Sequence, residues 1–238
     1  MTTIPTRKEE AWRYSDIDAV AALWPVPAAT IIDVAAGDVL TRHLIADAGI
    51  HDFAITVHAG AQMDFHVLNT APCYARIAVD VTLHDGAHFE LGAVQIGGGA
   101  TNLEIITTVR HIEPNATSRQ TVRSVLGGTA TGTYLGKVAV ARDAQKTDSV
   151  QSVKAMLLTR TATANAKPEL EIYADDVKCA HGCAIGELDQ QAMFYLASRG
   201  LPPLEAQTLL LQAFVAEVFN GADPALEAAA LTALENLS

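Results

Sequence analysis

Residues 167–186 read KPELEIYADDVKCAHGCAIG. Pro168 opens a short apolar alternation, Leu170, Ile172 and Ala174, and an acidic pair, Asp175 and Asp176, closes it. Cys179, His181 and Cys183 follow at alternate positions. Alternate residues of an extended chain face one side. A strand from Val177 to Cys183 therefore points two thiols and an imidazole at a single surface. Neighbours on a strand face opposite ways, so Asp175 and Asp176 suit a turn or a solvated edge better than joint acid–base work.

The period of two continues upstream. Ile55 and Val57 alternate with polar neighbours after Phe53, and Ile77, Val79, Val81 and Leu83 form the cleanest strand. Leu103, Ile105 and Val109 repeat the pattern, then Val122 to Leu126, Leu135 to Ala141 and Val150 to Leu158. Gly, Asn and Asp separate the runs, and no helical pattern of useful length interrupts them. Many short strands without helices between them leave a sandwich, a barrel or a β-solenoid. Periodicity does not choose among these, and no repeat is visible. Gly97-Gly98-Gly99 and Gly127-Gly128 lack the strand-to-helix context and the lysine of a phosphate loop, so they read as turns.

Both ends read as helical. Thr6 and Glu9 form a capping box ahead of Trp12, and Pro25 and Pro27 end that segment. Residues 28–50 are Ala-rich and ambiguous. Downstream, Asp189 caps a helix stopped by Gly200, Pro203 opens a second running to Phe219, and Asp223-Pro224 caps a third. In the second, Leu210, Leu211, Phe214, Val215 and Val218 form one stripe, which Leu209, Ala213, Ala216 and Phe219 widen around the helix. A helix apolar on most sides is buried on most sides, and little chain remains here to cover it. Part of that surface is expected to meet another protein. The expected division is an N-terminal helical segment over 1–50, a β core over 51–186 and a helical domain over 187–238.

Half of the 238 residues are hydrophobic, so a sizeable core is expected. The net charge of −11 sits mostly in the C-terminal third, where acids from Glu169 onward face only Lys178 and Arg199. That argues against nucleic acid or an anionic membrane as the partner there. Three cysteines make no disulfide framework. Met1-Thr2-Thr3 begins no charged-then-apolar leader, and no apolar run approaches a membrane span. The expectation is a protein of a reducing cytoplasm.

Cys179, His181 and Cys183 are soft ligands suited to zinc or iron–sulfur chemistry. Their spacing is not that of a zinc finger, and Cys73 stands alone. Two readings stay open: a strand carrying small apolar cysteines, and a metal site completed by another subunit. A hydrolytic set from His111 with Ser118 or Ser124 has nothing to order it. The other histidines are scattered, although several on one solenoid face would bind metal.

The stretch from Lys167 to Val218, KPELEIYADDVKCAHGCAIGELDQQAMFYLASRGLPPLEAQTLLLQAFVAEV, resembles the C-terminal signature of the SufB/SufD family, the scaffold subunits of SUF iron–sulfur cluster assembly. PTRKEEAWRYSDI, from Pro5, is similar to that family's opening segment, and Ala144 to Asp148 fits its central domain. The resemblance implies a mainly β fold: a right-handed parallel β-helix core flanked by an N-terminal helical segment and a C-terminal helical domain. It implies a SufB-like partner across the β-helix and a SufC-like ABC ATPase docked on the C-terminal helices, with two SufC subunits per complex. Leu210, Leu211, Phe214, Val215 and Val218 are the expected docking residues. SufB-like chains carry an acid directly after the motif histidine; here Gly182 follows His181, as in the SufD branch. Cys179 and His181 then fall at the SufB interface as transient ligands of iron or a nascent cluster. Cys183 departs from the usual small non-thiol residue and is either an extra ligand or a space filler. No tightly bound cofactor and no catalysis by the chain itself are expected. The alternatives are a SufB-like homodimeric scaffold, a structural subunit whose partner holds all the cluster ligands, and an enzyme built on a solenoid.

Overall fold

The computed structural model describes residues 3–237. Met1 and Thr2, where no leader was read, lie outside the described residues. Twelve strands alternate between two sheets: β1 (Thr30–Val34), β2 (Val39–Ala46), β3 (Gly49–Val57), β4 (Gln62–Asn69), β5 (Tyr74–Leu83), β6 (His88–Gly97), β7 (Asn102–His111), β8 (Thr117–Leu126), β9 (Thr131–Val140), β10 (Asp148–Leu157), β11 (Thr163–Ile172) and β12 (Lys178–Gly186). The odd strands form one six-stranded sheet and the even strands the other. The pairings run parallel from coil to coil, as in β1 with β3 and β10 with β12, so the chain winds as a two-sheeted solenoid. Of the three all-β architectures open to the sequence, this is the solenoid.

The coil repeat is real but its length drifts. Val39, Gln62, His88, Thr117, Asp148 and Lys178 stack in one column, and no two successive intervals are equal. A search for a fixed period therefore finds nothing. One corner keeps its shape throughout: Gly37, Gly60, Gly86, Asn115 and Lys146 all have positive φ. Each donates its N–H to the next coil, for example Gly60 to Asp85 O at 2.8 Å and Lys146 to Asp176 O at 2.6 Å. Glycine enters that backbone region freely and asparagine with little cost, which explains three of the first four residues and the fourth.

Between the sheets lies an apolar core in stacked columns. Ile55, Val81, Val109 and Val138 stand above one another in the odd sheet, and Phe65 and Leu91 do so in the even sheet. All six side chains are buried. Burying one such side chain contributes roughly 1.5–3 kcal/mol.

The first coil begins at Thr30, so the boundary expected near residue 50 falls inside β3. β1 and β2 are edge strands with mostly exposed side chains, and an edge strand lacks the two-sided environment that produces clean alternation. The N-terminal helical content is also smaller than expected: a 3-10 turn at Glu10–Trp12 and α1 (Ile17–Ala22). The Glu9 carboxylate accepts the Thr6 N–H at 3.0 Å, as a capping box requires, but the helix that follows lasts one turn. This segment lies on the outer face of the odd sheet. Trp12 stacks on Arg76, 3.8 Å from the guanidinium carbon to the ring centre. Arg76 pairs with buried Glu104 at 2.6 Å, and the Ser15 hydroxyl donates to the same carboxylate at 2.8 Å.

Three further helices, α2 (Gln190–Ser198), α3 (Pro203–Ala216) and α4 (Pro224–Glu235), follow β12. Asp189 and Asp223 cap α2 and α4 through their side chains, as the sequence indicates. α3 and α4 pack on the outer face of the even sheet, where Leu211, Val215, Val218, Leu226 and Leu234 meet Leu68, Val94, Ile96 and Val125. Arg123, buried in β8, holds the end of α3 in place: it donates to the carbonyls of Val122 and Ser152 and pairs with Glu217. Gly92 makes the close approach possible, since a Cβ there would lie 2.6 Å from Val218 O and 2.8 Å from the His66 ring.

Candidate functional site

β12 is the last strand of the even sheet, and among the described residues nothing stacks beyond it. Cys179, His181 and Cys183 pair in register with Ser149, Gln151 and Val153 of β10. Those three β10 side chains are 0%, 1% and 3% exposed, so these positions face the interior of the solenoid. The two thiols and the imidazole thus share one face, as alternation demands. They face the interior at its open end, where no coil covers them. Cys179 is half-buried against Val138, Val140, Ala144 and Ala174, while His181 and Cys183 are exposed.

The interior changes character toward this end. Below the trio, the columns of the even sheet run Phe89, Ser118, Ser149, Cys179 and Leu91, Gln120, Gln151, His181. Hydroxyls and amides replace hydrocarbon in the coils next to the open end, and they bond to one another. Ser118 Oγ lies 2.8 Å from Ser149 Oγ and 2.9 Å from His111 Nε2. Gln120 Oε1 accepts from the hydroxyls of Thr107 and Tyr134 and from the Gln151 amide, at 3.0, 3.1 and 3.3 Å. Sequence reading missed Ser149 and Gln151. It gave a strand from Val150 to Leu158 without choosing its inner face, and the observed register turns Ser149, Gln151 and Val153 inward.

The electrostatics leave the thiols protonated. Burial pushes the Cys179 thiol up, hydrogen bonding to the Ser149 backbone opposes it, and the Asp148 carboxylate adds to the rise. Burial also raises Cys183. All three cysteines are free thiols, and Cys73 is exposed on a different part of the chain. Among the described residues no three His, Cys, Asp or Glu side chains gather as a metal-holding group.

The remaining candidates fall elsewhere. Asp176 sits in the turn before β12, where it pairs with Lys146 and donates its N–H to Gln145 Oε1 at 3.0 Å, so the acidic pair belongs to a corner. His111 and Ser118 do bond, at 2.9 Å, but both are fully buried inside the core, so the pair belongs to the interior packing. His58 and His84 stack with ring centres 5.1 Å apart, paired with Asp33 and Glu113 respectively, and are not part of a metal-holding group among the described residues. The expected docking stripe needs correcting. Leu211, Val215 and Val218 are buried against the solenoid, with Leu210 and Phe214 half-buried. The apolar girth of α3 therefore serves first to seat the helix on the even sheet. The exposed apolar residues of this region are Leu204, Leu209, Phe194 and Tyr195. Leu201, Leu204, Thr208 and Leu209 line a shallow groove of about 440 Å³. No helix among the described residues is long and apolar enough to cross a membrane.

Residues 47–214 match the family model described as SUF system FeS cluster assembly, SufBD core domain. The chain is 38% identical over 112 residues to the iron-sulfur cluster assembly protein SufD of Escherichia coli, covering 47% of this chain and 26% of that protein. It is 35% identical over 201 residues to a SufBD family protein of Synechocystis, covering 75% of this chain and 44% of the relative. Protein ABCI7, chloroplastic, of Arabidopsis thaliana is 39% identical over 108 residues, 45% of this chain and 23% of its own length. The matched part thus spans less than half of each of these relatives. With most of the solenoid and the Cys179–Cys183 strand inside the matched region, the chain belongs to the SufBD core family of SUF iron–sulfur cluster assembly.

Proposed function

We propose that this chain is a SufD-like scaffold subunit. Its open coil end pairs with a SufB-like subunit, and its C-terminal helices dock a SufC-like ATPase. One observation carries the reading: three soft ligands stand on the inward face of a final strand that no further coil covers. Such a set needs a second chain to complete and enclose it. Cys179 and His181 then hold iron or sulfide in transit, with Cys183 as a further ligand. The chain itself catalyses no reaction, and it works in a reducing cytoplasm, where its free thiols persist.

The chemistry follows from the protonated thiols. A metal ion displaces the proton of a coordinating thiol, so loading releases protons and depends on pH. Until then Cys179 is a poor nucleophile and resists oxidation. The exposed groove beside Leu204 and Leu209 supports ATPase docking on the outer side of α3. Arg123 supports transmission, because it ties Glu217 at the end of α3 to the Ser152 carbonyl in β10, the strand that pairs with β12.

The test is the double variant Cys179→Ser/His181→Ala, purified anaerobically with its SufB-like and SufC-like partners. The expected result is an assembled complex with a reduced yield of iron–sulfur chromophore. An unchanged yield sinks the site assignment. In an SufB-like homodimeric scaffold, the chain alone would build the chromophore.

A further inference from the structure

Gln151 is 1% exposed, and its Oε1 has no hydrogen-bond partner. Its Nε2 points to Gln120 Oε1 at 3.3 Å and to Tyr134 OH at 3.4 Å. The Thr107 and Tyr134 hydroxyls point to the same Gln120 Oε1, so an N–H of Gln151 fits that side. The Gln151 amide therefore presents its nitrogen to the coil below, which leaves its oxygen as the unmatched end. A buried carbonyl oxygen without a donor costs about 1–3 kcal/mol. The residue in register on the open side is His181. Adjacent strands lie about 4.8 Å apart, so side chains on one face of neighbouring strands are within reach.

We propose that Gln151 is a positioning residue for His181: its orphan Oε1 accepts the N–H of one imidazole nitrogen and turns the other, unprotonated, out of the open end toward incoming iron. The inference rests on the reading of His181 as a cargo ligand. Metal-binding imidazoles generally donate their second N–H to a carbonyl or carboxylate, which selects the tautomer and fixes the ring. Here the carbonyl belongs to an amide that is itself clamped by a buried Gln–Tyr–Thr network. The same network explains why polar residues occupy the interior coils next to the open end.

The experiment uses the full chain, reduced and anaerobic, with nitrogen-15-labelled histidine. His181 signals are assigned by their loss in His181→Ala. The wild type is expected to show a single His181 tautomer with a slowly exchanging ring N–H. Gln151→Met, equal in length but with only a weak thioether acceptor, should mix the tautomers and speed that exchange. Gln151→Glu, which keeps an acceptor oxygen, should restore the ordered N–H. Cobalt(II) titration, followed through paramagnetic loss of His181 signals, should require 10–100-fold more metal in Gln151→Met. Tautomer and exchange unchanged between wild type and a folded Gln151→Met overturn the proposal. If Gln151→Met does not fold, a wild-type ring N–H that exchanges at the solvent rate overturns it alone. Cobalt binding indifferent to Cys179→Ser and His181→Ala instead defeats the cargo-ligand reading and leaves the tautomer measurement standing, so the two failures are distinct.

Discussion

Replacing His111 with leucine should remove a defined part of the acid sensitivity of this fold. His111 sits on the inner face of β7 between Leu83 and Val140 in register, so leucine suits the column. Burial lowers its pKa from 6.5 to about 4, against an opposing hydrogen bond to the Ala116 backbone. The sign follows from proton counting. Between pH 6.5 and 4 the unfolded chain carries a proton on this imidazole and the folded chain does not. The stability tied to a neutral His111 is therefore complete above about pH 6.5 and is lost as pH falls toward 4. A separation of that size corresponds to about 3 kcal/mol. Urea unfolding of the wild type and His111→Leu, from pH 7.5 to 4, should show the wild type losing about 3 kcal/mol more. The difference between the two isolates His111, since the carboxylates and the other histidines titrate in both. The variant has its own cost, a Ser118 hydroxyl with one partner fewer, but that cost does not vary with pH. Parallel stability curves would refute the reasoning and mean that His111 takes up its proton inside the folded solenoid.

Three further outcomes are expected. Glu104→Ala leaves Arg76 charged and buried, so it should cost about 3–5 kcal/mol in urea unfolding. Arg76→Met with Glu104→Leu should cost less than Glu104→Ala alone, and the reverse order would contradict the buried-pair argument. Gly92→Ala drives a methyl into Val218 O and the His66 ring, which should cost about 1–3 kcal/mol and raise hydrogen exchange across residues 215–221 while the inner strands stay protected. Leu204→Glu with Leu209→Glu, both exposed on α3, should leave the melting temperature within a few degrees of wild type and abolish capture of the SufC-like ATPase; retained capture would place docking elsewhere on the helices.

Local chemistry made much of this fold legible. The alternation at Ile77, Val79, Val81 and Leu83 reports an inner face, and Asp189 and Asp223 announce their helices because a cap is a property of a few neighbouring residues. Long-range choices were not legible. The solenoid emerged from a family resemblance, because a coil length that changes at each step hides the repeat. β4 and β6 carry Met63, Phe65, Val67 and Phe89, Leu91, Ala93 at alternate positions, a signal as good as that of β5, yet the reading passed over both. At the site, the shared face of Cys179, His181 and Cys183 follows from spacing alone. That the face turns inward at an uncovered end follows only from the pairing of β12 with β10. Nothing near Ser149 and Gln151 in the sequence marks them as inward, because the polar partners they meet, Ser118 and Gln120, lie in another coil. α3 was legible only in part. Its stripe was sound, but the surface it covers belongs to the even sheet, which the sequence does not place beside it.

The central claim is that this chain works as one subunit of a SUF scaffold whose cluster site forms at its open coil end. It is tested most directly by anaerobic co-expression with the SufB-like and SufC-like proteins of the same organism, pulling on a tag carried by this chain. Mass from light scattering would be read together with the visible spectrum. The account predicts a stable complex of this chain, one SufB-like subunit and two SufC-like subunits that takes up an iron–sulfur chromophore, with less chromophore when Cys179 and His181 are replaced. A chain that stays alone beside intact partners would contradict it.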